Sequence, residues 1–300
     1  MATEERVALD WLDGIDEVDQ ETVEVDAVGY PWIQWVHGDP QLKKLEGVPW
    51  TGGWFMPADA SGLDEDAELE GWKRDTLTHN SGDETQGWFT RDLTVAIIRS
   101  RRGWHVRKGN QTMIFPWDQY DQAKAMDGDM TGRTQFLAVV KGLAEPRPVV
   151  LTVHGSVGRA MAPSRQGDSV LNQFRRYVLA PANKLLSKSG KKGQWPYRAF
   201  WLTVGPDRDG EGAPIYTTVG EGSATSKVTL PVALGIKDKM APQEIGALYI
   251  GKELLAETGE MWKEAEEWAN AWSERIDAEM TESDESADDA VYASEDEIPF

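Results

Sequence analysis

A chain of 300 residues with 51 Asp and Glu against 31 Lys and Arg has sequence enough for one large domain or two small ones, and its net charge of −20, taken as a total, excludes a phosphate-bearing partner. The absence of Cys excludes a disulfide framework and thiolate metal sites, and it fits a reducing compartment. The polar opening MATEERVALDWLD does not read as a secretory signal and no apolar run approaches about 18 residues, so a soluble, cytoplasmic chain with no membrane partner is expected.

The distribution of charge overturns the total. Residues 1–90 carry 5 Lys and Arg against 21 Asp and Glu, residues 91–208 carry 20 against 8, and residues 209–300 carry 6 against 22. A centre of +12 between two flanks of −16 must be accommodated by any function.

Residues 1–28 are acidic with scattered apolar side chains such as Val7, Leu9, Trp11, Leu12 and Ile15, and read as a largely disordered lead. Order is expected from near Tyr30. Residues 30–38 alternate as a strand, and residues 48–57 read as a second aromatic strand broken at Gly52-Gly53. Five Trp between residues 32 and 72 suit a core better than a stacking surface. Residues 63–70 read as an acidic loop. Residues 93–99 form a strand, Arg101-Arg102-Gly103 a turn and residues 104–107 its return, with further strands at 112–115, 135–141, 149–154, 200–204, 215–219 and 228–230. Apolar residues at 170, 171, 174, 178 and 179 mark one helical face, which Pro181 interrupts or restarts.

Three strands, a helix and two strands is the chain order of an OB-fold barrel, so a mainly β class with an OB-like barrel and one internal helix is expected. The mapping runs 93–99, 135–141, 149–154, helix, 200–204 and 215–219. The expected organisation is a Trp-rich β domain over 29–242 with the barrel around 88–235, a helical segment over 243–276 with breaks at Gly251 and Gly259, and a disordered acidic tail over 277–300. Whether residues 30–80 stand apart is left open.

Cations interleaved with aromatics suit a single-stranded nucleic acid, because Lys and Arg track phosphates while flat rings stack on unpaired bases. One cluster is Arg99, Arg101, Arg102, Trp104, Arg107 and Lys108, running on to Phe115 and Trp117. The other is Lys184, Lys188, Lys191, Lys192, Trp195, Tyr197 and Arg198, around a flexible basic loop. The competing reading places Trp104 and Phe115 in the core and the arginines on a solvated strand edge.

Catalytic patterns fail. The four histidines, His37, His79, His105 and His154, are scattered without metal-ligand spacing. The glycine-rich runs at 155–159 and 190–193 lack the phosphate-loop spacing, and Asp207 to Gly212 opens like a calcium loop but has Thr218 where a bidentate Glu belongs. No enzyme, metal or cofactor is expected.

From Ser273 the chain carries eleven acidic side chains against one basic, Arg275, and ends Asp296-Glu297-Ile298-Pro299-Phe300. Its end offers a ring, a terminal carboxylate and a stiffening proline to a partner's pocket. This tip resembles that of bacterial and phage single-stranded DNA-binding proteins. The resemblance implies cytoplasmic work in a bacterial or phage-infected cell: single-stranded DNA held during replication, recombination and repair, with helicases, exonucleases and recombination mediators recruited by the tip. It covers only the last residues and their acidic lead, so the family's DNA contacts do not transfer, and a divergent member is implied, for which a homo-oligomer is allowed. A phage strand-annealing or recombinase-loading factor, and a Trp-rich carbohydrate-binding or virion module, are the alternatives.

Overall fold

The computed structural model describes residues 30–39, 51–58, 63–78, 84–109, 111–163, 168–220 and 225–272. The acidic lead, the tail and its tip lie outside these residues.

Twelve strands form among the described residues: β1 (Trp32–Val36), β2 (Gly53–Pro57), β3 (Lys73–Thr78), β4 (Glu84–Thr90), β5 (Leu93–Lys108), β6 (Gln111–Pro116), β7 (Asp129–Val140), β8 (Pro148–His154), β9 (Leu202–Pro206), β10 (Tyr216–Val219), β11 (Ser226–Thr229) and β12 (Pro231–Leu234). Ten of them make one sheet in the order β12-β9-β5-β7-β8-β1-β2-β4-β3, with β6 beside the distal half of β5. The pairs are antiparallel apart from β1 with β8, where Trp32 stands opposite Val150. The path has two ends, so the sheet is open and the expected closed barrel is not formed. Beside β8, where closure would occur, lies β1, and the strands of residues 30–90 extend the same sheet. The expected fifth strand, now β10, pairs only with β11, and β12 occupies the place beside β9.

The expected turn at residues 101–103 is absent, because β5 runs through it as a 16-residue strand. Gly103 pairs with both Arg133 and Pro116, and the hairpin turns instead at Gly109, whose φ of +61° suits a residue without a side chain. A bulge at Ile98, between the pairs Ile97–Ala138 and Arg99–Leu137, shifts the alternation of β5 by one. Leu93, Val95 and Ile97 therefore share the first face with Arg102, Trp104 and Val106. Arg99, Arg101, His105 and Arg107 go to the second.

The first face holds the main core, in which Ile33, Trp54, Met56, Phe136 and Leu151 are fully or almost fully buried. Trp35 and Trp54 meet edge to face at 5.2 Å, and their indole N–H groups donate to the carbonyls of Thr229 and Val204. These two rings are core, as their polar handles require. Several helices cover this face rather than the one expected. The acidic residues 63–70 form α1 (Asp64–Leu69), where Asp64 accepts the Trp88 indole N–H and Asp66 accepts the Ala144 N–H. Next come α2 (Tyr120–Ala125) and α3 (Gly155–Met161). The longest, α4, runs through Val170–Phe174, a π-helical turn Arg175–Leu179 and Ala180–Lys188. Ser169 caps it by accepting the Asn172 N–H at 3.3 Å. Pro181 neither stops nor restarts this helix, since the widened turn before it accommodates a residue that donates no N–H.

The second face is covered by the C-terminal segment. After α5 (Pro242–Ala247), Gly251 breaks the chain at φ +93°, and α6 (Lys252–Glu264) follows. Gly259 lies inside α6, and the second break falls at Ala265, after which residues 266–272 are helical. Ala265 and Trp268 pack on Ile98, Leu137, Val139 and Val150. None of the helices in the described residues is long and apolar enough to cross a membrane.

Candidate nucleic-acid interface

The shifted alternation divides the first predicted cluster between the two faces. On the first face, at the distal end of the sheet, Trp104 and Trp117 stack at 4.1 Å and 13°, with the Trp104 indole donating to the Trp117 carbonyl. Tyr120 meets Trp104 edge-on at 5.2 Å, the Arg102 guanidinium lies 4.4 Å from the Trp117 ring, and Lys124 lies 5.7 Å from the Tyr120 ring. Trp117 remains 40% exposed. Partial burial lowers the pKa of Arg102, and its Nε has no hydrogen-bond partner among the described residues. Phe115 is core, while Arg107 and Lys108 are exposed at the hairpin end.

On the second face, Arg99 and Arg101 hold the C-terminal segment. Arg99 Nε donates to the Trp262 carbonyl at 2.6 Å, and its guanidinium lies 4.1 Å from the Trp262 ring. Arg101 donates to the Trp268 carbonyl and to Gln135, and lies 4.2 and 4.5 Å from the rings of Trp268 and Trp272.

The second predicted cluster also divides. Lys184, Lys188, Lys191 and Lys192 are exposed on and after the end of α4. Trp195 instead packs edge-on against Phe200 and Tyr249, its backbone N–H held by Asn183 at 2.7 Å. Tyr197 stacks on Phe174 at 6.0 Å, and burial raises its phenol pKa. Arg198 reaches within 5.9 Å of the Trp262 ring, which is 42% exposed and already carries Arg99. The fold thus joins the two clusters at Trp262. Trp262 lies on α6, outside both predicted clusters, and its exposure in the fold is what marks it.

The chain matches no family model, no curated protein and no solved structure.

What unites these cations is the lack of compensation. Among the described residues, Arg99, Arg102, Arg107, Lys108, Lys188, Lys191, Lys192 and Arg198 make no ion pair, whereas Arg208 pairs with Asp92, Arg176 with Asp168 and Lys263 with Glu260. Cations free of ion pairs beside exposed rings are the ingredients of an anion-binding, base-stacking surface.

Sequence reasoning missed a further group. His37, His105 and His154 are far apart along the chain, yet β5, β7 and β8 bring His105, Arg133 and His154 to the second face, with His37 just beyond β1. No group of three His, Cys, Asp or Glu among the described residues could hold a metal ion. The sequence loop at Asp207 is likewise a turn: Asp209 Oδ1 accepts the N–H groups of Glu211 and Ala213, each at 2.9 Å.

Proposed function

We propose that this protein binds single-stranded DNA, shielding it during replication or recombination, and recruits partner enzymes through Ile298, Pro299 and Phe300. The observation that carries the reading is the grouping of cations that make no ion pair among the described residues around two exposed indoles, Trp117 with Arg102 and Trp262 with Arg99 and Arg198. An unpaired base extends such a stack, while a duplex keeps its bases inside. The lysines of residues 184–192 add a backbone track that demands no particular sequence.

An OB-like ancestry is part of this proposal. It is supported by the path β12-β9-β5-β7-β8, with α4 between β8 and β9, which is the strand order of an OB barrel left unclosed. The tip is proposed from sequence, through its resemblance to bacterial and phage single-stranded DNA-binding proteins.

The deciding experiment is intrinsic Trp fluorescence titrated with a poly-thymidine oligonucleotide at several salt concentrations, beside a duplex control. Quenching by the single strand alone, with affinity falling steeply in salt, is the expected result. No quenching and no binding at low salt would overturn the proposal.

A further inference from the structure

A group of side chains on the second face, Arg133 with His105 and His154, lies outside both predicted clusters. In the antiparallel ladder Gly103 stands opposite Arg133, and Arg133 opposite His154. One step along β5, His105 stands opposite Thr131, beside Arg133. Arg133 is half-buried, and it makes neither a hydrogen bond nor an ion pair among the described residues. His105 Nε2 is buried and also without a partner, while the ring meets Trp272 edge-on at 5.6 Å. Trp272 fills the space over Gly103, where a Cβ would come within 2.7 Å of its ring. His154 is exposed, and His37, whose Nδ1 donates to the Thr229 carbonyl at 3.1 Å, is close enough to lower its pKa.

Among the described residues, the electrostatics around Arg133 are one-sided. His105 is pushed down to about 4, first by burial and then by Arg133, His154 and Arg101. His154 is lowered by burial, Arg133 and His37, and His37 by burial, against which its bond to Thr229 works. Burial also lowers Arg133. Among the described residues, no carboxylate shifts any of the four. A half-buried guanidinium with no ion pair among the described residues is partly desolvated, and an oxyanion that accepts its donors offsets that cost.

We propose that Arg133, flanked by His105 and His154, is a phosphate-binding site on the second face of the sheet, taking one phosphodiester of the bound strand. This rests on the single-stranded DNA reading for its ligand, and on Arg133 and its two histidine neighbours alone for its chemistry. Arg133 supplies the paired donors, the exposed His154 a third, and Trp272 a wall that orients His105.

The test has two arms on the full chain. In the first, inorganic phosphate is titrated while the histidine ring resonances are followed by NMR. The expected result is a saturable shift of His105 and His154 with a rise in their pKa values, abolished in Arg133→Gln and retained in part in Arg133→Lys. In the second, poly-thymidine binding is measured against salt, and Arg133→Gln is expected to weaken it about tenfold and to flatten the log–log salt slope by about 0.7. Unshifted histidines in the wild-type protein would overturn the site, whatever the oligonucleotide does. Shifted histidines with an unchanged slope in Arg133→Gln would remove the phosphodiester from it. If phosphate shifts the histidines but the wild-type protein binds no oligonucleotide, the anion site stands and the single-strand reading fails.

Discussion

Trp117 and Trp54 are the same residue type put to opposite uses. Trp54 is fully buried and spends its indole N–H on a carbonyl, so its ring cannot reach a ligand. Trp117 is 40% exposed, with Trp104 and Arg102 against it. Trp117→Ala should therefore weaken single-strand binding by about 1–3 kcal/mol with little change in the urea midpoint, read by parallel binding and denaturation curves. His105 makes a prediction of another kind. Its folded pKa of about 4 lies below the ordinary 6.5, so the unfolded chain binds the proton first as pH falls. Its contribution to stability is complete above pH 6.5 and is lost progressively as pH drops through about 4. Urea midpoints measured across that window should fall with acid, and His105→Gln should reduce the fall.

At the scale of elements, the contact between β5 and the C-terminal segment joins the fold to the candidate site. Arg99 and Arg101 on β5 hold backbone carbonyls and Trp rings of that segment. The segment is held by that and by Trp268, which is 5% exposed against the second face. Trp268→Ala should cost about 3–5 kcal/mol, measured as a lowered urea midpoint, because the ring leaves a cavity that the rigid sheet cannot close. The amphipathic stripe of this segment was legible in its sequence, since Trp268, Ala269 and Trp272 recur at helical spacing. What it packs on was not, because periodicity gives a face and names no partner. The bulge was equally hidden. Ile98 reads as one more β-branched residue in an apolar run, and only its misfit against β7 shows that the arginines after it change sides.

For the molecule as a whole, the plus-charged centre is the feature that reaches solution behaviour. If Lys188, Lys191 and Lys192 lie along the strand's backbone, replacing all three with Gln should reduce the log–log salt slope of oligonucleotide binding by about 2. Their exposure predicts little effect on folding, so circular dichroism should be unchanged. An unaltered slope would place the DNA elsewhere, with the Trp117 and Trp262 sites as the remaining contacts.

Strand and helix positions were largely set by local chemistry: the near-continuous apolar runs at residues 136–140 and 149–153 gave β7 and β8, which are buried on both faces, and a 3.6-residue period gave α4. The segregation of charge and the acidic, aromatic terminus are also properties of the chain alone. Tertiary structure decided the rest. It left the sheet open by placing β1 beside β8, and it assigned Trp195 and Tyr197 to packing while leaving Trp117 and Trp262 exposed. It also gathered Arg133, His105 and His154 from three strands. Those outcomes depend on strand pairing between residues distant in the chain, where a shift of one position reverses the face of every side chain that follows.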